Sequence, residues 1–555
     1  MASYDYCCSV DGHGLRYKEF SVVLLQIFAL DDFKDFKLPS SGAVRSFVKP
    51  VENGIDSLIF NIPYPKDDSE NSSIERFELG GFDFRMSLTD PYPVLLSGHV
   101  KVKMSVLFGN TVSLSYRFVF NGSDSLCKMS EPVCTDHIIA LLATHLSAEH
   151  WSKNKGKSET DINMEVTDFD ATKFPINSSG DLSTSPLDLP LNGVGRTFEH
   201  VCSRYKSFIT KHCTASKKGI SREDRKIAGK MMASYSDDSF SDFHYAMVDI
   251  WESLMHPVTG EDGTVTDLFA NDREPRLSEA DIINHIRDFH KPELIGLMTM
   301  YPEEWPYRDS EAYDEVCGGN IAIDTDDLVL VNHNVCVVFG TYGRRGAGSP
   351  VDWEEHLQER EKYDVSWPEY LLILEMVLAK KFVIGYAKDQ LIRATLDVGK
   401  EKDSYSDLIA HNASLSIRLS RLELQLDVVK YSRFMSHKVM FDRTTRRLEL
   451  ESDTEVLNSL TELVDNSLHN ISDYKAMKSD TFLNFILALV SVASTFQLFF
   501  GPAEMPFVEA SGFGSKGFSV ILLWIVATIS AFGILLVCSN MVKRIIKKIK
   551  LWIAS

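Results

Sequence analysis

Apolar and polar residues alternate between Val94 and Phe120, most clearly in HVKVKMSVLFGNTVSLSYRFVF. A period of two predicts two strands with one face in a core, and Phe108-Gly109-Asn110 supplies the turn of a hairpin. The period then changes. Thr135 is a good N-cap, and Ile138, Leu141, Leu142, Leu146 and Trp151 fall on one face of the helix that follows it. Near the other end of the chain, Leu415, Leu419, Leu422, Leu426 and Val429 are spaced 4,3,4,3, and Leu457, Leu460, Val464, Leu468 and Ile471 recur at the helical spacing 3,4,4,3. Both are apolar stripes of helices that pack on other helices. No proline interrupts the chain between Glu369 and Pro502, so Asp453 to Phe500 is expected to form one continuous helix.

The end of that helix changes character. Thr481 to Phe500 is a run of 20 residues without a charge, and Phe518 to Asn540 is a second run of 23. A helix of about 20 residues reaches roughly 30 Å, the thickness of a bilayer core, so each run is long enough to span. Two buried helices of a soluble core are the plainer alternative. After the second run come Lys543, Arg544, Lys547, Lys548 and Lys550. The loop 501–517 holds only Glu504, Glu509 and Lys516 as charges. The positive-inside rule therefore puts both termini in the cytoplasm, with a short hairpin in the membrane.

Composition sharpens this division. The chain has 555 residues, 44% of them hydrophobic, and a net charge of -20. The outer loop carries -1 and the tail +5, which leaves -24 on residues 1–480. So acidic a body repels polyanions, and direct DNA or RNA binding is not expected. Nine cysteines form no CxxC pair, which fits a reducing cytosol. Met1 to Asp11 lacks the basic and apolar regions of a cleaved signal.

The expected organisation is an N-terminal α+β lobe over 1–152, a Ser/Asp/Asn/Pro-rich linker or long loop over 153–192, and a mainly helical lobe over 193–320. An α/β segment with the stalk helices follows over 321–480, then the transmembrane hairpin over 481–540 (spans 481–500 and 518–540) and the basic tail 541–555. One line down the first span reads Thr481, Asn484, Ala488, Ser491 and Thr495. Polar groups at Asn484, Ser491 and Thr495 would be unsatisfied in lipid, so this face turns toward a pore, a neighbouring helix or its own backbone.

Two places in the body are candidates for binding an anion. Arg204, Lys206, Lys211, Lys217, Lys218, Arg222 and Arg225, continued by Lys226 and Lys230, stand against only Glu223 and Asp224. They form either a phosphate-binding patch or a solvated helix face. The loop Gly340 to Gly348 contains Arg344 and Arg345 among glycines that let backbone N–H groups approach a phosphate, and is otherwise a plain turn. Metal and enzyme signals are poor: there is no HExxH, His285 and His290 are five apart, and no nucleophile elbow or kinase signature occurs. No catalysis is expected. Glu354-Glu355 and Glu359 with Glu361 are acidic enough for a regulatory divalent ion, or form a solvated face.

The order of a cytoplasmic body, a long helix running into a first span, a short outer loop, a second span and a basic tail resembles the CorA family of divalent-cation transporters. Residues 320–550 carry the likeness: Leu328 to Gly340 looks like a strand, a glycine-containing loop follows, and Glu369 to Leu391 looks like the helix preceding the stalk. The resemblance implies an α+β cytoplasmic body with a stalk helix and a two-helix transmembrane hairpin, in a homo-oligomer, a pentamer, in the bilayer of a bacterial inner membrane. The family's Gly-Met-Asn at the outer mouth is replaced by Gly501-Pro502-Ala503, and only Gly501 is kept. Glu504 and Glu509 remain as acids that concentrate cations there, with Mg²⁺ as a permeant or regulatory ion. Departure from the filter motif and the long body are similar to the divergent CorA-like effectors of type III CRISPR antiviral defence. That likeness implies gating by a small adenine-nucleotide messenger, a conjugate of S-adenosylmethionine and AMP. Constitutive divalent uptake and a membrane-tethered binding protein without a pore are the alternatives.

Overall fold

A computed structural model of the chain describes residues 15–30, 34–38, 43–51, 74–88, 94–107, 111–121, 127–130, 133–146, 163–168, 198–216, 242–254, 258–259, 265–266, 279–300, 309–325, 327–340, 364–365, 367–397, 435–463 and 466. The chain divides into two units, Met1–Glu462 and Leu463–Ser555, and the elements named below belong to the first. The amino-terminal part supplies β1 (Arg16–Ala29), β2 (Lys34–Phe36), α1 (Ala43–Phe47), β3 (Val48–Pro50), β4 (Ile74–Leu88), β5 (Val94–Leu107) and β6 (Thr111–Asn121). Next come β7 (Cys127–Met129), β8 (Val133–Cys134), α2 (Thr135–Leu146), β9 (Asn163–Asp168), α3 (Phe198–His212), β10 (Thr214–Ser216) and β11 (Phe243–Leu254). The remainder holds β12 (Val258–Thr259), β13 (Val265–Thr266), α4 (Glu279–Phe289), α5 (Lys291–Thr299), α6 (Tyr313–Val316), β14 (Asp327–Val331), β15 (Val335–Gly340), α7 (Pro368–Asp397) and α8 (Met435–Arg447).

One large sheet organises the unit. Its order is β14-β15-β11-β1-β6-β5-β4-β3, with β7 beside β5, β8 beside β1 and β9 beside β4. Every pair is antiparallel except β11 with β15. Strands from the amino-terminal segment, from 193–320 and from 321–480 are thus hydrogen-bonded in a single sheet. The expected hairpin is present as β5 and β6, closing at the pair Leu107 and Thr111. Leu328 to Gly340 is two strands of a second hairpin, turned at Asn332, whose side-chain oxygen accepts from the N–H groups of Asn334 and Val335. Phe243–Leu254, in a segment expected to be mainly helical, is a central strand, and β9 falls inside the expected linker.

The two faces of the sheet differ chemically. On one face lie Phe20, Val22 and Leu24 of β1, Val102 and Met104 of β5, Leu114 to Phe120 in alternation on β6, and Val248 and Ile250 of β11. Helices α2, α3, α4 and α5 cover it with Ile138, Leu142, Tyr205, Ile209, Ile286, Leu294 and Leu297. Each such side chain withdrawn from water contributes about 1.5–3 kcal/mol, so this face holds the main core. The Tyr205 hydroxyl donates to the Gly80 carbonyl at 2.6 Å, at a point where β4 bulges between Leu79 and Phe82. Glycine is required there, because a Cβ on Gly80 would run into the Phe47 ring and one on Gly81 into the Val100 carbonyl.

Helix α7 lies on the opposite face and begins at Pro368, one residue before the expected start. Proline suits the first helical position because its missing N–H has no partner in any helix. Residues 450–463 are again helical after Glu449, whose φ of 58° separates them from α8. Leu457 is buried and Leu460 half-buried there, as the stripe from Leu457 predicts. The remainder of the expected stalk and both uncharged runs lie outside the described residues. Among the described residues no helix is long and apolar enough to cross a membrane.

Candidate functional site

Alternation in β5 and β6 places Lys101, Lys103 and Ser105 opposite Arg117, Ser115 and Ser113, all on the face away from the main core. Polar positions of an antiparallel strand ordinarily face water. Here helix α7 covers them. Ser105, Ser113, Ser115 and Arg117 are buried, and Glu375 of α7 is fully buried among them. Arg76 of β4 donates from Nη1 to Glu375 Oε2 at 2.7 Å and to Ser105 Oγ at 2.7 Å. Hydroxyls of Ser105 and Ser113 donate to Glu375 Oε1 at 3.4 Å. A carboxylate in an otherwise apolar helix stretch thereby fixes the register of α7 on the sheet.

Farther along the same face, three cations converge on one carboxylate. Asp364 Oδ1 is 2.5 Å from Lys101 Nζ, while Oδ2 is 3.0 Å from Lys103 Nζ and 3.6 Å from Arg117 Nη1. The Asp364 side chain is 2% exposed, and its backbone takes a φ of 62°. Burial alone would push its carboxyl up, but Lys103, Arg117 and Lys101 outweigh burial and hold it below the usual range. Lys103 goes the other way: burial, helped by the Arg117 charge and opposed by Asp364, lowers its ammonium to about 7.

That lowering has a sign in stability. Between about 7 and the ordinary lysine range the unfolded chain binds the Lys103 proton and the folded chain does not. Stability of the body is therefore expected to rise with pH over that window, with a slope of at most about 1.4 kcal/mol per pH unit for one proton. Lys103→Met should flatten the rise, as read from melting temperatures at successive pH values. An unchanged slope in that variant would exclude Lys103 as its source.

A second constellation ties α7 and α8 to the sheet edge. Asp327 of β14 accepts from the Tyr370 hydroxyl at 2.8 Å and from Trp367 Nε1 at 3.3 Å at the start of α7. Lys381 Nζ of α7 meets His333 Nδ1 at 2.8 Å and donates to the Leu448 carbonyl at 3.1 Å. Burial, with Lys381 close by, lowers the His333 imidazole, so the neutral ring accepts from the ammonium. From α8, Arg443 donates to the Ala322 carbonyl at 2.6 Å, and Arg447 to the carbonyls of Val331 at 3.0 Å and Val316 at 2.8 Å. Lys388 Nζ holds Asp453 of the next helix at 2.5 Å. Helix α8, which leads into helix 450–463, is thus held by charge-assisted bonds to the carbonyls of Val331 on β14, Ala322 in the loop before it and Val316 on α6, and Lys388 of α7 holds Asp453 beyond it.

Of the residues singled out from the sequence, Arg204, Lys206 and Lys211 lie on α3. Lys206 pairs with Asp242, which also accepts from Gln26 at 2.7 Å, and its Nζ lies 5.5 Å from the centre of the Phe28 ring. It serves to dock α3. Lys217, Lys218, Arg222, Arg225, Arg344 and Arg345 lie outside the described residues, as do Asn484, Ser491, Thr495, Gly501, Glu504 and Glu509. The cations that the structure does bring together, Lys101, Lys103 and Arg117, escape a search for charge runs because they alternate with apolar residues.

Other reactive groups are committed to packing. The six cysteines among the described residues are all buried. Burial pushes the thiols of Cys127, Cys213 and Cys317 up to about 12, which keeps them protonated at neutral pH. His290 bonds Glu293 at 3.1 Å within its own turn. Among the described residues no group of three or more His, Cys, Asp or Glu could hold a metal ion. No protein-family model, curated protein or solved structure matches the chain.

Proposed function

We propose that the chain is a CorA-like membrane ion channel whose cytoplasmic α+β body senses a ligand and passes its state to the pore through the helix that begins at residue 450. The observation that carries this reading is the pair of uncharged runs, Thr481 to Phe500 and Phe518 to Asn540, followed by the basic tail. The anchored helix root supports it, because a ligand shifts a pore only if it binds one state of a connected element better than the other. On this reading a homo-oligomer surrounds a path along Asn484, Ser491 and Thr495, with Glu504 and Glu509 at the outer mouth. The ligand is a nucleotide messenger of the S-adenosylmethionine–AMP type, acting in type III CRISPR defence.

Reconstitution in liposomes with an ion-flux readout is the test. Flux is expected to rise when the nucleotide is added to the cytoplasmic side, and Asn484→Leu is expected to abolish it with the oligomer unchanged by size-exclusion chromatography. Wild-type flux through Asn484→Leu would defeat the pore assignment. Constitutive flux that Mg²⁺ closes and nucleotides do not alter would favour divalent uptake, and no flux under any condition a plain tether.

A further inference from the structure

We infer that Lys101, Lys103 and Arg117 form a binding site for a phosphate-bearing anion, and that Asp364 occupies this site in the structure as a tethered substitute for the ligand. The inference names the ligand site of the sensor body proposed above and rests on that reading.

The geometry is that of an anion cradle. Lys101 and Arg117 are direct cross-strand partners, and Lys103 stands one step along β5, opposite Ser115. Their three cationic groups come within 2.5–3.6 Å of one carboxylate. A carboxylate has two oxygens for three cations, so Lys103 and Arg117 share Oδ2 and the Arg117 contact stretches to 3.6 Å. A phosphoryl group offers three terminal oxygens, one to each cation, at the spacing charge-assisted bonds prefer. Arg117 Nε is already oriented by the Ser115 hydroxyl at 3.3 Å, which presets its fork.

The occupant also bears the mark of a held conformation. Asp364 takes φ 62°, a region that costs a non-glycine residue energy and persists only where surroundings enforce it. A purely structural role would be served as well by apolar residues, since buried ion clusters gain little over a packed hydrocarbon core. Asp364 stands three residues before Trp367 and six before Tyr370, the two side chains that pin the start of α7 to Asp327. Displacing the carboxylate therefore acts on the segment that leads into α7.

The full-length chain in detergent micelles, titrated calorimetrically with inorganic pyrophosphate at pH 6, where Lys103 is largely protonated, tests this without reference to a pore. Asp364→Asn removes the competing charge and should bind pyrophosphate about tenfold more tightly than the wild type. Lys101→Gln, whose side chain is 29% exposed at the rim of the site, should keep its melting temperature and bind about tenfold more weakly. If Asp364→Asn fails to fold, Lys101→Gln alone decides. Equal affinities across the three proteins, or no binding by any of them, overturn the site. Because flux is not measured, a body that binds in this pattern but conducts nothing would defeat the channel and leave the site standing.

Discussion

Glu375→Leu is expected to destabilise the body by about 3 kcal/mol, the range for removing one partner of a buried ion pair. The carboxylate is fully buried and accepts from Arg76 at 2.7 Å, with Ser105 and Ser113 at 3.3–3.4 Å. Its removal leaves the Arg76 guanidinium, 11% exposed, without its carboxylate beneath α7. The hydrocarbon gained by leucine does not offset this, because the groups facing it are two hydroxyls and a cation. Arg76→Met in the same chain should restore much of the loss, since a buried pair replaced by apolar residues is often close to neutral. Urea unfolding followed by tryptophan fluorescence reads both. Glu375→Leu within about 0.5 kcal/mol of the wild type, the usual surface range, would mean that this pair does not hold α7 to the sheet.

The same face shows why some of the fold was legible and the candidate site was not. The period of two in β5 and β6 reports strands and identifies Val102, Met104, Leu114 and Phe118 as core positions, and these are buried. It equally assigns Lys101, Lys103 and Ser105 to the outer face, which ordinarily means solvent. That face is buried only because α7 packs on it from more than 200 residues away, a tertiary fact with no local signal. Asp364 is similar: no motif marks it, and its role follows from a backbone angle and from the strands it meets. Helix α2 was readable because Thr135 marks its start and Ile138, Leu141 and Leu142 recur at helical spacing, whereas α7, a nearly unbroken apolar run after Pro368, was expected from the family resemblance. The β14–β15 hairpin was not, since Asn332-His333-Asn334 turns without glycine and reads as a polar interruption of one strand. Strand β11 carries Asp249 and Trp251 on the polar face and alternates less cleanly, so its central place in the sheet is not announced either.

Arg447→Met should lower the melting temperature and, on the channel reading proposed above, abolish the response to nucleotide in the liposome assay while leaving a conducting pore. Arg447 donates to the carbonyls of Val331 and Val316 and, at 3.3 Å, of Glu315. Two of these belong to the last turn of α6, whose carbonyls have no partner within that helix, and a bond from a charged donor contributes about 1.5–3 kcal/mol. The expected loss of stability is therefore about 3 kcal/mol. Gly318 supplies an independent arm. Its φ is +65°, and a Cβ there would stand 2.5 Å from Arg447 Cζ, so Gly318→Ala both strains the backbone and pushes the guanidinium off its carbonyls. If Arg447 is the fastening of the helix root, Gly318→Ala should reproduce the loss of nucleotide response, and the double variant should cost much less than the sum of the two singles. Full additivity, or an unaltered nucleotide response in Arg447→Met despite a lower melting temperature, would separate this anchor from gating and confine it to stability.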